Sequence, residues 1–127
     1  LIDFSDFLPT TLEAVGVAAP QDIDGQSFLW QLRGKTGEPR KWIHIFYHPR
    51  PEKGISLAFV RTQRYKLYRD GRFYDVLNDV GEESPLSASG LNRQAMDAHA
   101  LLSEALKTMP ADGRMLLKYG NRRSSVK

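Results

Sequence analysis

An Asp-Gly pair, Asp70-Gly71, lies between the aromatic and aliphatic runs of AFVRTQRYKLYRDGRFYDV (residues 58–76) and constrains this chain more than any other stretch. In that setting Asp-Gly predicts a β-hairpin, because glycine takes a positive φ without steric cost and the turn then matches the twist of its strands. Tyr65, Leu67 and Arg69 are expected on one face and Lys66 and Tyr68 on the other, with Phe73 and Tyr74 returning opposite them. A two-stranded ribbon is marginal alone in water, so more strands or a helix must cover its apolar face.

The chain supplies both. KWIHIFYH (residues 41–48) is a strand by its β-branched and aromatic content, closed by Pro49 and Pro51, with Trp42, His44, Phe46 and His48 on one side. Residues 55–61 form the next strand and turn at Thr62 and Gln63 into the Tyr65 strand. Four strands at a spacing of roughly ten residues predict an antiparallel meander. The cover is a helix whose stripe runs through Leu91, Ala95, Ala98, Leu101, Leu102, Ala105, Leu106 and Met109 and ends at Pro110, with His99 at its boundary. Near the start, a short helix begins at Asp6 or Leu8, holds Pro9 in its first turn, carries Leu8, Leu12 and Val15 on one face and stops at Gly16. A Pro- and Gly-rich connector follows, with one or two helical turns over residues 27–32 that bring Phe28, Leu29 and Leu32 inward.

Composition removes several classes of function. Of 127 residues 41% are hydrophobic and 26% charged, and no run approaches the roughly 18 apolar residues of a membrane span. With no cysteine there is no disulfide framework, thiolate metal site or thiol nucleophile. The net charge of +3 resides in the tail, where Arg114, Lys118, Arg122, Arg123 and Lys127 stand without an acid, so no basic nucleic-acid face is expected. The chain begins at Leu1 rather than Met, without a charged and apolar leader, and is expected to be the interior of a longer protein.

Catalytic patterns are missing. No G-x-S-x-G elbow or Gly-rich phosphate loop is present. His44 and His48 share a strand face about 13 Å apart, too far for one metal ion. Asp22, Asp24 and Gly25 lack the further ligands of an EF-hand and read as a turn, and Asp6 reads as a helix-terminal acid facing the macrodipole. The acids of DVLNDVGEE (residues 75–83) are expected to cap turns and stay in solvent. HPRPEKG (residues 48–54) is a polar, cationic loop at a strand end, a place where function is often carried.

Three segments together resemble the C-terminal end of the type I sulfatases of the alkaline phosphatase superfamily. DFLPTTLEAVGV (residues 6–17) is similar to the family's Asp followed by Pro-Thr, two apolar positions, an acid and Gly. DGQSFLWQLRG (residues 24–34) is similar to its Asp-Gly-x-Ser, Leu-rich run and Gly, with Trp30 in place of a common Pro. VRTQRYKLYRDGRFYDVLNDVGEESPL (residues 60–86) matches Val-Arg-Thr, Tyr-Lys-Leu and Tyr-Asp-Leu-x-x-Asp-Pro-x-Glu, with Val76 and Val80 departing from Leu and Pro.

That resemblance implies a parent enzyme that hydrolyses sulfate esters with a formylglycine, made in a Cys/Ser-x-Pro-x-Arg motif, and a calcium ion. Both precede the matching segment in the family, and neither motif nor cysteine is present here. The chain itself is therefore expected to hold no catalytic residue, metal ligand or cofactor, and Asp6 and Asp24 match positions that shape structure. The implied fold class is α+β: a four-stranded antiparallel sheet packed by a C-terminal helix, preceded by a short helix of a missing α/β catalytic domain. Residues 1–40 are the last helix and connector of that domain, 41–110 the C-terminal subdomain and 111–127 a basic tail. The implied partners are the N-terminal catalytic domain, which would cover the apolar residues at 1–7, and an anionic sulfate ester, met by His48 and Arg50 at the cleft mouth. Family members are frequently exported, which implies a periplasmic or secreted setting. A non-catalytic binding module and a related phosphonate or phosphodiester hydrolase are the alternatives.

Overall fold

Asp3 opens the first element. Its carboxylate accepts from the Ser5 amide (2.9 Å) while the Asp6 carboxylate accepts from the Asp3 amide (2.8 Å), a reciprocal capping box over the single 3-10 turn Phe4–Asp6. The computed structural model describes residues 1–50 and 55–109, with the side chains at 49, 50, 55 and 56 excepted. Its described chain forms two units, Leu1–Ile43 and the part from His44 onward.

In the first unit the capped turn runs directly into α1, Phe7–Ala14, with Pro9 in the first turn. Gly16 ends it at φ +74°, and the Val17 amide reaches back to the Leu12 carbonyl at 2.8 Å. The expected stripe does not face inward: Leu8 and Val15 are exposed, and Pro9 and Thr10 are the buried positions. The reason is polar. Thr10 Oγ1 accepts from the Phe28 amide (3.1 Å) and donates to the Asp6 carbonyl (2.6 Å), so the side of α1 that carries these bonds turns toward residues 26–29. There α2, Leu29–Leu32, buries Leu29 as expected but leaves Leu32 exposed, because a single turn presents only one side to α1.

The second unit is a four-stranded antiparallel sheet in the order β1 (Ile43–Arg50), β2 (Ile55–Arg61), β3 (Tyr65–Tyr68), β4 (Phe73–Asp75), covered by α3 (Arg93–Thr108). The hairpin closes where Asp70-Gly71 predicts: Leu67 pairs with Phe73, the Tyr68 amide donates to the Arg72 carbonyl (2.9 Å), and Gly71 sits at φ +94°. α3 packs on β2 and β3, burying Ala95, Leu102 and Ala105 above a core of Val60, Tyr65, Leu67 and Phe73. Asn92 caps it, accepting from the Ala95 amide (2.9 Å), so Leu91 lies before the helix and outside its stripe. His99 packs edge-on against Phe73 at 5.0 Å.

Two expectations are corrected here. β3 is buried on both faces, and the acids of residues 75–83 do not all stay in solvent. The acids after β4 account for this, because Glu82 folds back to take Lys66 Nζ (2.5 Å) and the Tyr68 hydroxyl, while Lys66 lies over Phe59 (3.9 Å) and Tyr68 (4.5 Å). Asp75 is also buried, gripped by Arg64 (2.7 and 3.0 Å) and Asn78 (2.9 Å). Asp79 does what was expected of these acids, capping the Glu83 and Ser84 amides, and Glu83 stays exposed. The second correction is at β1, which passes through Pro49 to Arg50 instead of ending at His48. β1 is an edge strand, and there a missing N–H costs no ladder bond when it faces outward. The expected loop over 51–54 and the basic tail from 111 fall outside the described residues.

Candidate functional site

β1 carries the candidate substrate contacts. Alternation along it leaves Ile45 and Tyr47 exposed while His44, Phe46 and His48 are half-buried on the other side. The His48 ring stands edge-on to Phe46 at 5.8 Å. Its Nε2 is buried, and among the described residues it has no hydrogen-bond partner. A buried polar nitrogen left so is costly, and sites of this kind commonly await a group from elsewhere. Arg50, two residues on, shares that strand face by register, and its side chain lies outside the described residues. The structure thus keeps His48 and Arg50 on one edge strand rather than in a loop.

Asp6 does more than the helix-terminal role expected of it. It is 1% exposed and does not cap α1 through its side chain. Its carboxylate instead accepts from Arg40 Nε (2.9 Å) and Nη2, from the Gln26 amide (2.7 Å) and from the Asp3 amide, while Arg40 also donates to the Asp24 carbonyl (2.9 Å). Burial pushes this carboxyl upward, and the Arg40 guanidinium with the two backbone N–H groups outweighs it, holding Asp6 below the usual carboxylate range. The Asp24 carbonyl, not its carboxylate, is what the network uses. Gly25 is required in the same place: a Cβ there would stand 2.1 Å from the Ser5 carbonyl oxygen. Gly25→Ala is therefore expected to lower stability by about 1–3 kcal/mol, read by thermal unfolding of the purified protein.

The groups implied for the parent enzyme do not fit these residues. Among the described residues no three His, Cys, Asp or Glu side chains are grouped so as to hold a metal ion, and the chain has neither cysteine nor Ser-x-Pro-x-Arg for a formylglycine. Sequence reasoning missed the Lys66–Glu82–Tyr68 cluster and the Asp6–Arg40 pair. Each joins residues far apart in the chain, and neither left a local signal.

A family model described as N-sulphoglucosamine sulphohydrolase, C-terminal, matches residues 1–108. An ulvan-active sulfatase of Formosa agariphila is 34% identical over 83 residues, which is 61% of this chain and 16% of that protein. A second sulfatase of the same organism is 29% identical over 119 residues, 80% of this chain and 22% of that protein. Among solved structures, a putative sulfatase from Bacteroides thetaiotaomicron aligns at TM-score 0.62 and 26% identity over 81% of this chain and 24% of its own. A 2-O GAG sulfatase aligns at TM-score 0.64 and 28% identity over 87% of this chain and 26% of its own. The chain thus spans about a quarter or less of each of these proteins.

Proposed function

The chain belongs to the family of N-sulphoglucosamine sulphohydrolase C-terminal domains, and from that premise we propose that it is the C-terminal portion of a sulfatase, a sulfuric ester hydrolase. The observation that carries the reading is the match of the family model over residues 1–108, joined to the similar fold of the two solved structures at 26% and 28% identity. In this reading the chain completes the enzyme's fold and supplies no nucleophile or metal ligand of its own. Its first unit docks on the catalytic domain through an apolar surface in which Ile2, Phe7 and Leu8 are half-exposed and Phe4 is 90% exposed, an arrangement that water alone disfavours. At the cleft, the His48 imidazole hydrogen-bonds the ester and the Arg50 guanidinium faces its anionic group.

Purified whole protein is expected to release inorganic sulfate from an aryl sulfate or a sulfated oligosaccharide. His48→Ala and Arg50→Ala are each expected to lower kcat/KM by about tenfold or more, as loss of a charge-assisted bond to substrate does. Unchanged kcat/KM in both variants, across substrates, would remove these residues from the site. A whole protein that releases no sulfate would return the chain to a non-catalytic binding module.

A further inference from the structure

Within the first unit, the segment that leads out of α2 folds a concavity of about 500 Å3, lined chiefly by Gln26, Glu38, Arg40, Lys41 and Trp42. That volume falls in the range of small-molecule sites, about 300–1,000 Å3, and such sites combine an apolar wall with a few placed polar groups. Here the wall is the half-buried Trp42 indole, which lines the opening.

The polar groups divide into those already committed and those still free. Arg40 is committed: its charge is neutralised by Asp6, and it serves as floor. Gln26 is held in place by donating Nε2 to the Glu38 carbonyl (2.8 Å), which leaves its Oε1 as an acceptor. The Glu38 carboxylate and the Lys41 ammonium, both exposed, make no ion pair or side-chain hydrogen bond among the described residues. An aromatic face, a free carboxylate, an oriented amide oxygen and a free ammonium around one opening match the surface of a pyranose. Its C–H face lies on an indole, its hydroxyls donate to carboxylate and amide oxygens, and an anionic substituent meets the ammonium.

We infer that this concavity is a saccharide subsite for one anionic pyranose residue of a polysaccharide, with the ring on Trp42, hydroxyls on Glu38 and Gln26, and a sulfate or carboxylate on Lys41. The inference rests on the sulfatase reading only for the choice of ligand class, and it places polymer recognition in the first unit.

The test is calorimetric titration of the whole protein with size-defined ulvan oligosaccharides and with the same oligosaccharides after desulfation. Trp42→Ala and Lys41→Glu are each expected to weaken binding of the sulfated ligand by about tenfold, and Trp42→Phe, which keeps a ring, by less than about threefold. Lys41→Glu alters an exposed side chain that has no partner among the described residues, so it decides the question even if Trp42→Ala fails to fold. If the Lys41→Glu loss vanishes on desulfation, Lys41 reads sulfate; if it persists, Lys41 reads the uronate carboxylate. Wild-type turnover of an aryl sulfate, measured on the same preparation, checks the sulfatase reading separately. Unaltered affinity in Lys41→Glu overturns the subsite, as does a wild-type protein that releases sulfate from the aryl sulfate yet binds no ulvan oligosaccharide.

Discussion

Replacing Asp6 by alanine is expected to destabilise the first unit by about 3–5 kcal/mol, the cost of removing one partner of a buried ion pair. The loss exceeds one contact because Asp6 serves three separate places in the sequence. Without it, Arg40 keeps, among the described residues, only the Asp24 carbonyl as an acceptor, and the Asp3 and Gln26 amides lose theirs. Amide exchange at Asp3 and Gln26, with thermal unfolding of the purified protein, reads the effect directly. Pairing Asp6→Ala with Arg40→Leu should recover part of the loss, because the stranded charge is removed with its partner. The pH dependence follows from the direction of the shift. The folded-state value of Asp6 lies below its unfolded one, so the stabilisation is present above the unfolded value of about 3.9 and is lost as pH falls through the folded value. The gap between wild type and Asp6→Ala should therefore narrow below about pH 4. A gap that stayed constant into acid would show that packing, not charge, sets it.

Leu102→Ala is expected to cost about 2–5 kcal/mol, through lost transfer energy and the cavity left under α3. Leu102 is 0% exposed, and the small buried neighbours Ala95 and Ala105 bring the helix close to the sheet, so the space cannot be refilled by a short shift of side chains. Leu101, one residue earlier and partly exposed, is the internal control and should cost less than about half as much when truncated. Denaturant unfolding of both variants separates the two positions. Equal losses would mean that α3 is rotated relative to the face described here. The Arg64–Gln94 hydrogen bond (2.9 Å) ties α3 to the β3–β4 pair as well, so the Leu102 truncation should also speed amide exchange in β3.

The turn at Asp70-Gly71, the four strands, α3 and the short helix beginning after Asp6 were legible because each rests on a preference that a few neighbouring residues carry by themselves: a glycine that alone accepts positive φ, a β-branched run, an apolar stripe. The family resemblance was legible for a related reason, since its motifs are local runs. Where the elements meet was not encoded that way. Nothing near Asp6 marks Arg40 as its partner 34 residues on, and nothing near Lys66 marks Glu82. The first pair buries Asp6, read as a helix-terminal acid, and the second draws Glu82, read as an acid left in solvent, onto β3. The orientation of α1 likewise followed from the Thr10–Phe28 bond rather than from its Leu8, Leu12 and Val15 stripe. β1 runs through Pro49 because it lies at an edge, and no residue in the segment states its place in the sheet. The local backbone was thus determined by the sequence, and the tertiary structure decided which side chains are buried, because burial and long-range pairing depend on what arrives from elsewhere in the chain.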